Sequence, residues 1–233
     1  MLVYHGVGSC PRSDPLHRMF VTQDELAAQM DHLEQRRSVI SLQDAVLGRE
    51  TRRPAVALTF DDAYESFSLA LEVLEAKAFP VTLFAPSGRL GGRNTWDKGT
   101  TCDVALMSPA AVAAAAARGV DVHSHGHMHV DLTAVGAAAA RTDLEASVEA
   151  LTEITGTAPR YLAYPWGRHD DAVRAAAAAA GFDAAFAVNR PSGDLFGLER
   201  VQVEAGDAQW LFALKTSGTY ARLRRAVRSV RGG

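Results

Sequence analysis

Histidines concentrate in one short segment of the chain. Four of the eight histidines of this 233-residue protein fall within residues 123–129. They are His123, His125, His127 and His129. Imidazole is a common protein ligand for zinc and related divalent metals, and it titrates near neutral pH. A solvated histidine-rich loop, or one core histidine with bystanders, is the alternative interpretation of this cluster taken alone.

A second candidate site lies at the end of an apolar run. Residues 55–58 are Ala-Val-Ala-Leu and predict a buried strand, and Asp61 and Asp62 follow shortly after it. Two adjacent carboxylates at a strand tip are costly in free energy unless a cation holds them. A metal shared with the histidines would be that cation. Two imidazoles and one carboxylate leave coordination positions open for water and substrate, as in metal hydrolases.

The spacing of these residues leaves two questions open. His125 and His129 are four residues apart, which places both rings on one side of a helical turn. In an extended segment, all four clustered histidines would instead share one face. A carboxylate beside the metal can accept a proton from water whose pKa the metal lowers. Strand alternation alone does not say whether Asp61 or Asp62 is that base and which is the ligand.

Composition excludes several classes of protein. The net charge of −3 and the isoelectric point of about 6.2 give no reason to expect a nucleic-acid partner. No apolar stretch is long enough to span a membrane. Because residues 1–5 lack the basic region of a signal peptide, we expect a cytoplasmic protein, or an exported one whose leader is missing from the sequence. Cys10 and Cys102 can pair, but their positions do not decide whether they do, and no Cys-X-X-Cys motif exists.

Strand and helix patterns alternate to the end of the chain. Residues 22–25 form a capping box, and Ser108 followed by Pro109 predicts another helix start. No linker is long enough to divide domains. Alternating elements predict a parallel sheet, and seven or eight strands favour one closed or nearly closed α/β barrel over an open doubly wound sheet. The predicted strands lie at residues 2–7, 38–40, 55–60, 81–85, 120–123, 161–164, 184–188 and 200–203.

The chemically unusual residues lie at the carboxyl ends of the predicted strands. The two aspartates, the histidine cluster, residues 164–166 and Asn189 all follow strands, and His5 lies close to the end of its own. In a parallel barrel these ends share the face on which active sites are found. The glycine-rich segment 86–107, which contains Trp96, is a candidate functional loop because loops of this length in compact domains often have a function.

Three motifs resemble the signature motifs of the polysaccharide deacetylases, carbohydrate esterase family 4. They are Thr-Phe-Asp-Asp at 59–62, His-Gly-His-Met-His at 125–129 and Ala-Tyr-Pro-Trp-Gly at 163–167. Residues 2–7 and the helix over 20–33 resemble the branch that contains the poly-N-acetylglucosamine deacetylases. Because the resemblance covers nearly the whole chain, it implies one catalytic domain over residues 1–233 with a distorted (β/α)7-type barrel.

The resemblance also implies an activity and a set of roles. The activity is metal-dependent removal of N-acetyl groups from an acetylated amino sugar in a glycan or glycan precursor. Asp61 would be the general base, and His5 the general acid. Asp62, His125 and His129 would be the metal ligands. Zinc is the expected metal, while cobalt, nickel or another divalent ion suits the same ligands.

Three aromatic residues are assigned by the same resemblance. The backbone N–H of Trp166 would help the metal to hold a tetrahedral oxyanion. Trp166 and Trp96 are candidates for stacking on a sugar ring, with ordinary packing as the alternative. Tyr164 is expected either to line the acetyl pocket or to pack in the core. His123 and His127 are expected to be outside the ligand set, although His123 could orient a ligand.

The chain departs from the family pattern beside these residues. Many relatives carry Gly at the position of Ala63, Ser or Thr at Gly126, and Pro at Val130. An arginine that often precedes the Pro-aromatic-Gly motif and steadies the base is replaced here by Ala163. Arg200 is the candidate substitute, because a nearby cation keeps the base ionised. A surface salt bridge is the alternative interpretation of Arg200.

Other functions are compatible with the same residues. An O-acetyl esterase or a small-molecule amidase would use an identical catalytic set. The missing arginine also leaves room for a catalytically silent carbohydrate- or metal-binding protein.

The C-terminal segment carries several arginines and apolar residues at helical spacing. This pattern predicts either a solvated helix or a helix that makes a weak contact with a membrane surface or a polyanion. The arginines are Arg222, Arg224, Arg225, Arg228 and Arg231.

Overall fold

The computed structural model describes residues 1–97, 99–188 and 191–220. Strands and helices alternate through these residues. The strands are β1 (Leu2–Tyr4), β2 (Gly6–Val7), β3 (Phe20–Val21), β4 (Ser38–Val39), β5 (Ala55–Val56), β6 (Leu58–Phe60), β7 (Val81–Ala85), β8 (Asp121–Ser124), β9 (Tyr161–Ala163), β10 (Ala184–Ala187), β11 (Leu198–Glu199) and β12 (Val201–Gln202). The α-helices are α1 (Gln23–Arg36), α2 (Leu42–Val46), α3 (Phe67–Ala76), α4 (Pro109–Ala117), α5 (Ala137–Thr155), α6 (Asp171–Ala179) and α7 (Gln209–Lys215).

Eight strands form one parallel sheet in the order β11-β10-β9-β8-β7-β6-β1-β12. Its two edge strands are separated in sequence by Arg200 alone. The Arg200 N–H donates to the Ala187 carbonyl, and the Val201 N–H donates to the Met1 carbonyl, each at 2.9 Å. The chain around Arg200 therefore joins both edges and brings the sheet to a nearly closed barrel. The predicted distorted (β/α)7-type barrel is confirmed, and the open doubly wound alternative is wrong.

Two predicted strands are interrupted, for reasons visible in their pairing. The strand predicted over 2–7 breaks at His5, because β2 leaves the barrel to pair with β3. Gly6 is required there, since a Cβ atom on it would lie 2.1 Å from the Phe20 ring. The strand predicted over 55–60 divides into β5, which pairs with β4, and β6, which pairs with β1 and β7.

Two predicted helix starts are confirmed by their hydrogen bonds. The Glu25 N–H donates to Thr22 Oγ1 at 3.1 Å, and the Thr22 N–H donates to Glu25 Oε2 at 2.7 Å, which completes the capping box of α1. Ser108 caps α4 by accepting the Ala111 N–H at 3.1 Å, with Pro109 in the first turn. These caps satisfy amide groups that the first turn of a helix leaves unpaired.

Alternate strand residues face the inside and the outside of the barrel. Outward residues of β6 to β8, such as Leu58 and Leu83, pack in the main core beneath the helices. Inside the barrel, Phe84 and Phe186 share a smaller cluster with alanines such as Ala163. The alanines leave room in the interior for larger side chains from other strands.

A disulfide joins Cys10 to Cys102 across 92 residues of sequence. Beside it, the Asp14 carboxylate accepts hydrogen bonds from the Thr101 N–H, the Thr101 hydroxyl and the Cys102 N–H. The long segment 86–107 is thereby fastened to the loop that precedes β3.

No helix in the described part of the chain is long and apolar enough to cross a membrane. Asn189 and the C-terminal arginines lie outside the described residues, so the predictions that concern them stay predictions. Those arginines are Arg222, Arg224, Arg225, Arg228 and Arg231.

Candidate metal and catalytic site

Asp61 and Asp62 follow β6 and diverge because of the backbone turn between them. The Asp61 N–H continues the sheet by donating to the Tyr4 carbonyl at 3.0 Å. Asp62 and Ala63 then adopt left-handed conformations, with φ of 70° and 51°. Both carboxylates are buried, but they face different partners. The turn therefore separates two adjacent acids into two environments.

Asp62 faces two imidazoles. Its Oδ1 lies 3.3 Å from His125 Nε2 and 3.2 Å from His129 Nε2. Ligand atoms bound tetrahedrally at the usual zinc distances are separated by about 3.4 Å. Asp62, His125 and His129 therefore fit a divalent metal ion, since their ligand atoms all lie within 4.8 Å of one another.

The two histidine rings are held in different ways. His125 Nδ1 lies 2.8 Å from the Ala163 carbonyl, a hydrogen bond that leaves Nε2 free to bind a metal. His129 Nδ1 is buried with no hydrogen-bond partner among the described residues. Its ring instead stacks on Trp96, with centroids 4.1 Å apart, and meets the Trp166 ring at 4.6 Å. Two aromatic walls thus fix the ring of His129.

The loop between these histidines is shaped by Asp143 of α5. The Asp143 carboxylate accepts the N–H groups of His127 at 2.8 Å and Met128 at 2.9 Å. Gly126 has a φ of 74°, and a Cβ atom on it would lie 3.0 Å from Asp143 Oδ2. The segment forms a turn with His129 at a φ of 49°, so both the helical and the extended conformations considered for it are wrong.

His123 and His127 are not part of the ligand set. His123 Nε2 lies 3.1 Å from Asp121 Oδ2, and its Nδ1 accepts the Arg160 N–H at 3.3 Å. Because both its ring nitrogens are engaged, His123 does not orient a ligand. His127 Nδ1 is hydrogen bonded to the Ser87 hydroxyl at 2.9 Å.

Arg200 binds Asp61 through two parallel hydrogen bonds, each of 2.7 Å. Its guanidinium also donates to Thr59 Oγ1 at 3.0 Å and lies 5.0 Å from the centroid of the Phe84 ring. Arg200 is fully buried, at 0% exposure, so the surface salt bridge considered for it is wrong. Burial raises the pKa of Asp61, but Arg200 and His125 outweigh it and hold that pKa below its usual value.

One cavity of about 230 Å³ collects the predicted residues. Eight of the nine line it directly, and Arg200 lies behind Asp61. The lining residues predicted from the sequence are His5, Asp61, Asp62, Trp96, His125, His129, Tyr164 and Trp166.

His5 and Tyr164 have well-defined surroundings in this cavity. His5 is buried, and its Nδ1 has no hydrogen-bond partner among the described residues. Burial lowers the pKa of His5, while Asp62 and Asp61 act in the opposite direction. The Tyr164 hydroxyl donates to the Phe196 carbonyl at 3.0 Å, so this group is committed to the protein.

Sequence reasoning missed several residues at the site. Met19, Asp97 and Gln202 also line the cavity, and Asp143 shapes the histidine loop. Neither Asp143 in mid-helix nor Asp97 in a long loop follows a strand, so the strand-end rule did not find them. The position of Asp97 beside Trp96 is the one local signal that the sequence offered.

The fold is similar to several solved structures. BC0361, a polysaccharide deacetylase from Bacillus cereus, is 21% identical with a TM-score of 0.75, over 92% of this chain and 67% of that chain. The deacetylase PplD from Streptococcus pyogenes is 18% identical with a TM-score of 0.77, over 93% and 96%. IcaB from Ammonifex degensii is 24% identical with a TM-score of 0.74, over 92% and 96%. No curated protein shows significant sequence similarity to the chain.

A family match adds evidence that fold similarity alone does not provide. The sequence model of the family named polysaccharide deacetylase matches residues 48–185, which is more than half of the chain. This region contains both aspartates, the histidine cluster and the Pro-Trp-Gly motif. The likeness to IcaB extends over nearly the whole of both chains and concerns the fold. The chain therefore belongs to the polysaccharide deacetylase family.

Proposed function

We propose that the protein is a metal-dependent hydrolase that removes the acetyl group from an N-acetylated amino sugar within a glycan or glycan precursor. The observation that carries this proposal is the convergence of Asp62, His125 and His129 beside a second carboxylate, Asp61, in one cavity. Family membership supports the reaction class, and the geometry supports the choice of residues.

Asp62, His125 and His129 would hold the metal, which we propose to be zinc, although cobalt or nickel suits the same donors. When bound, the ion supplies Lewis acidity at the acetamide oxygen and activates water. Both imidazoles present Nε2 toward the Asp62 carboxylate, so these residues need little movement to bind it.

The remaining groups move protons and stabilise charge. Asp61 takes a proton from the water whose oxygen attacks the acetamide carbon, and Arg200 keeps that carboxylate ionised and oriented. The backbone N–H of Trp166 donates a hydrogen bond to the oxyanion. As the carbon–nitrogen bond breaks, His5 gives a proton to the departing nitrogen, which leaves acetate and a free amine.

The two tryptophans take different parts in this proposal. Trp166 is 45% exposed and lines the cavity, so part of its ring can stack on a sugar. Trp96 uses one ring face to contact His129 and therefore supports the metal ligand first. Tyr164 contributes its ring and backbone to the cavity wall, since its hydroxyl is engaged elsewhere.

Acetate release tests the proposal. The zinc-loaded protein is assayed on acetylated chitooligosaccharides, on acetylxylan and on small acetamides, with and without removal of the metal by a chelator. We expect release from the chitooligosaccharides that stops on metal removal and returns with zinc. Release from acetylxylan alone would favour the O-acetyl esterase, and release from small acetamides alone the amidase. A protein that binds metal but releases no acetate would be the catalytically silent alternative.

We further propose that the protein acts outside the cytoplasm. The pairing of Cys10 with Cys102 supports this, because disulfides persist in oxidising compartments and are rare in the cytosol. Fractionation of the native cells, with thiol titration of the recovered protein, tests the proposal. A reduced protein in the cytosolic fraction would contradict it.

A further inference from the structure

We propose that Asp97 is a specificity-determining residue, which accepts a hydrogen bond from a hydroxyl of the sugar ring that carries the acetamide. This inference rests on the proposed function and deepens it. Asp97 lines the cavity that contains the metal ligands, yet the proposed reaction gives it no part. Its carboxylate therefore needs a different explanation.

The carboxylate of Asp97 is held by one of its two oxygens. Oδ2 accepts a hydrogen bond from Asn94 Nδ2 at 2.9 Å and another from the Tyr64 hydroxyl at 3.3 Å. Among the described residues, no donor is hydrogen bonded to Oδ1. Asp97 is thus an oriented acceptor with one oxygen free.

The support beneath Asp97 is itself fixed. Asn94 is buried, its Oδ1 accepts the Val104 N–H at 2.7 Å, and its Nδ2 also donates to the Cys102 carbonyl at 3.1 Å. The disulfide then ties Cys102 to Cys10. An acceptor held in this way loses little entropy when a ligand binds, which is how preorganised groups confer selectivity.

The charge of Asp97 is not matched within the described part of the chain. No lysine, arginine or histidine there forms an ion pair with Asp97, in contrast to Asp61 and Arg200. If a ligand covers a partly buried carboxylate and offers it no hydrogen-bond donor, the carboxylate loses its hydrogen bonds to water without compensation, which costs free energy. The hydroxyls of a sugar whose acetamide lies at the metal ligands would supply such a donor, because Asp97 lines the same cavity as those ligands. A site of this kind rejects analogues that lack the hydroxyl.

The test compares two substrates and three variants. Asp97→Ala, Asp97→Asn and the control Asp103→Ala, which lies on the same segment with an exposed side chain, are assayed on an acetylated chitooligosaccharide and on 4-nitrophenyl acetate. The ester has no sugar hydroxyl. We expect Asp97→Ala to lower kcat/KM for the glycan by at least about tenfold and to leave the ester unchanged. Asp97→Asn keeps an acceptor oxygen and should lose less, and Asp103→Ala should behave as wild type.

The remaining outcomes distinguish a failure of this inference from a failure of the proposed function. Equal losses on both substrates would overturn the proposal, because Asp97 would then act through Tyr64 on the metal site. No loss on either substrate would also overturn it. If the wild-type protein released no acetate from any glycan, the proposed function would fail and this inference with it.

Discussion

The cavity has two walls that are built in different ways. On the barrel wall, Asp61, Asp62 and His125 follow strands, and backbone bonds such as His125 N–H to the Ala85 carbonyl, at 3.0 Å, continue the sheet. On the loop wall, Trp96 and Asp97 belong to the long segment 86–107. That segment is fastened by the disulfide and by hydrogen bonds to the Asp14 carboxylate. The barrel wall carries the residues proposed for the chemistry. The loop wall carries Asp97, which we propose for substrate recognition, and Trp96, which stacks on His129.

Strained backbone conformations occur mainly on the barrel wall. Five described residues other than glycine have a positive φ, and four of them lie on or beside the barrel wall. These four are Asp62, Ala63, His129 and Trp166. Such conformations cost about 1–3 kcal/mol each and persist only where the surrounding structure enforces them. The barrel wall is therefore positioned by a rigid scaffold at a cost in stability, whereas the loop wall is positioned by cross-links.

Removing the proposed base, Asp61, should have the largest effect on activity. We expect Asp61→Asn to lower kcat by about 10²–10⁴-fold while metal content stays unchanged. Because the variant leaves Arg200 buried without its anionic partner, it should also lose about 3–5 kcal/mol of stability, so folding is checked by circular dichroism. Asp183→Asn, whose carboxylate pairs with Arg160 at the surface, is the matched control. Full activity of Asp61→Asn would refute the assigned base.

Distorting the histidine loop should have the next largest effect. In Gly126→Ala the new Cβ would press on Asp143 Oδ2, and we expect zinc affinity to fall by about 10-fold or more, as for other residues that support ligands. Gly136→Ala is the control, because Gly136 also has a positive φ but nothing within 4 Å of a Cβ atom. Isothermal titration calorimetry measures the zinc affinity of both variants. Equal affinities would show that the Asp143 contact does not position the ligands.

The sequence predicted the barrel wall well and the loop wall poorly. Asp61, Asp62 and His125 follow strands that their apolar patterns reveal, and parallel strands bring their carboxyl ends to one face. The buried pair of Arg200 with Asp61 was anticipated as a substitute for a missing arginine. By contrast, Asp97 is placed by a long loop whose path depends on a disulfide that cysteine positions alone could not establish.

Opening the disulfide should weaken the loop wall more than the barrel wall. Cys10→Ser with Cys102→Ser removes a cross-link that closes a 92-residue separation, so we expect a loss of about 2–5 kcal/mol in unfolding free energy. The melting temperature should fall by several degrees. KM for the glycan should rise by a larger factor than the zinc dissociation constant, because the described part of the loop wall contacts the candidate ligands only through the stacking of Trp96 on His129. A variant with unchanged KM but weakened zinc binding would show that the cross-link supports the barrel wall instead.

The smallest expected effect is the acid response of Asp14. Burial acts to raise the pKa of Asp14, but hydrogen bonds from Thr101, Leu16 and Cys102 lower it to about 2. Since the folded-state pKa lies below the unfolded value, this stabilisation is present above about pH 4 and is lost as the pH falls toward 2. Melting temperatures of wild type and Asp14→Asn, measured across this range, should converge at low pH. Parallel curves would contradict the assignment.

Metal content of matched variants tests the central claim most directly. Zinc is measured by atomic emission in purified wild type, Asp62→Ala, His125→Ala and Asp61→Asn after equal loading and dialysis. We expect one zinc per chain in wild type and in Asp61→Asn, and none in Asp62→Ala or His125→Ala. Retention of a full zinc equivalent by Asp62→Ala, or loss of zinc from Asp61→Asn alone, would contradict the assignment of Asp62 as the metal ligand and of Asp61 as the base.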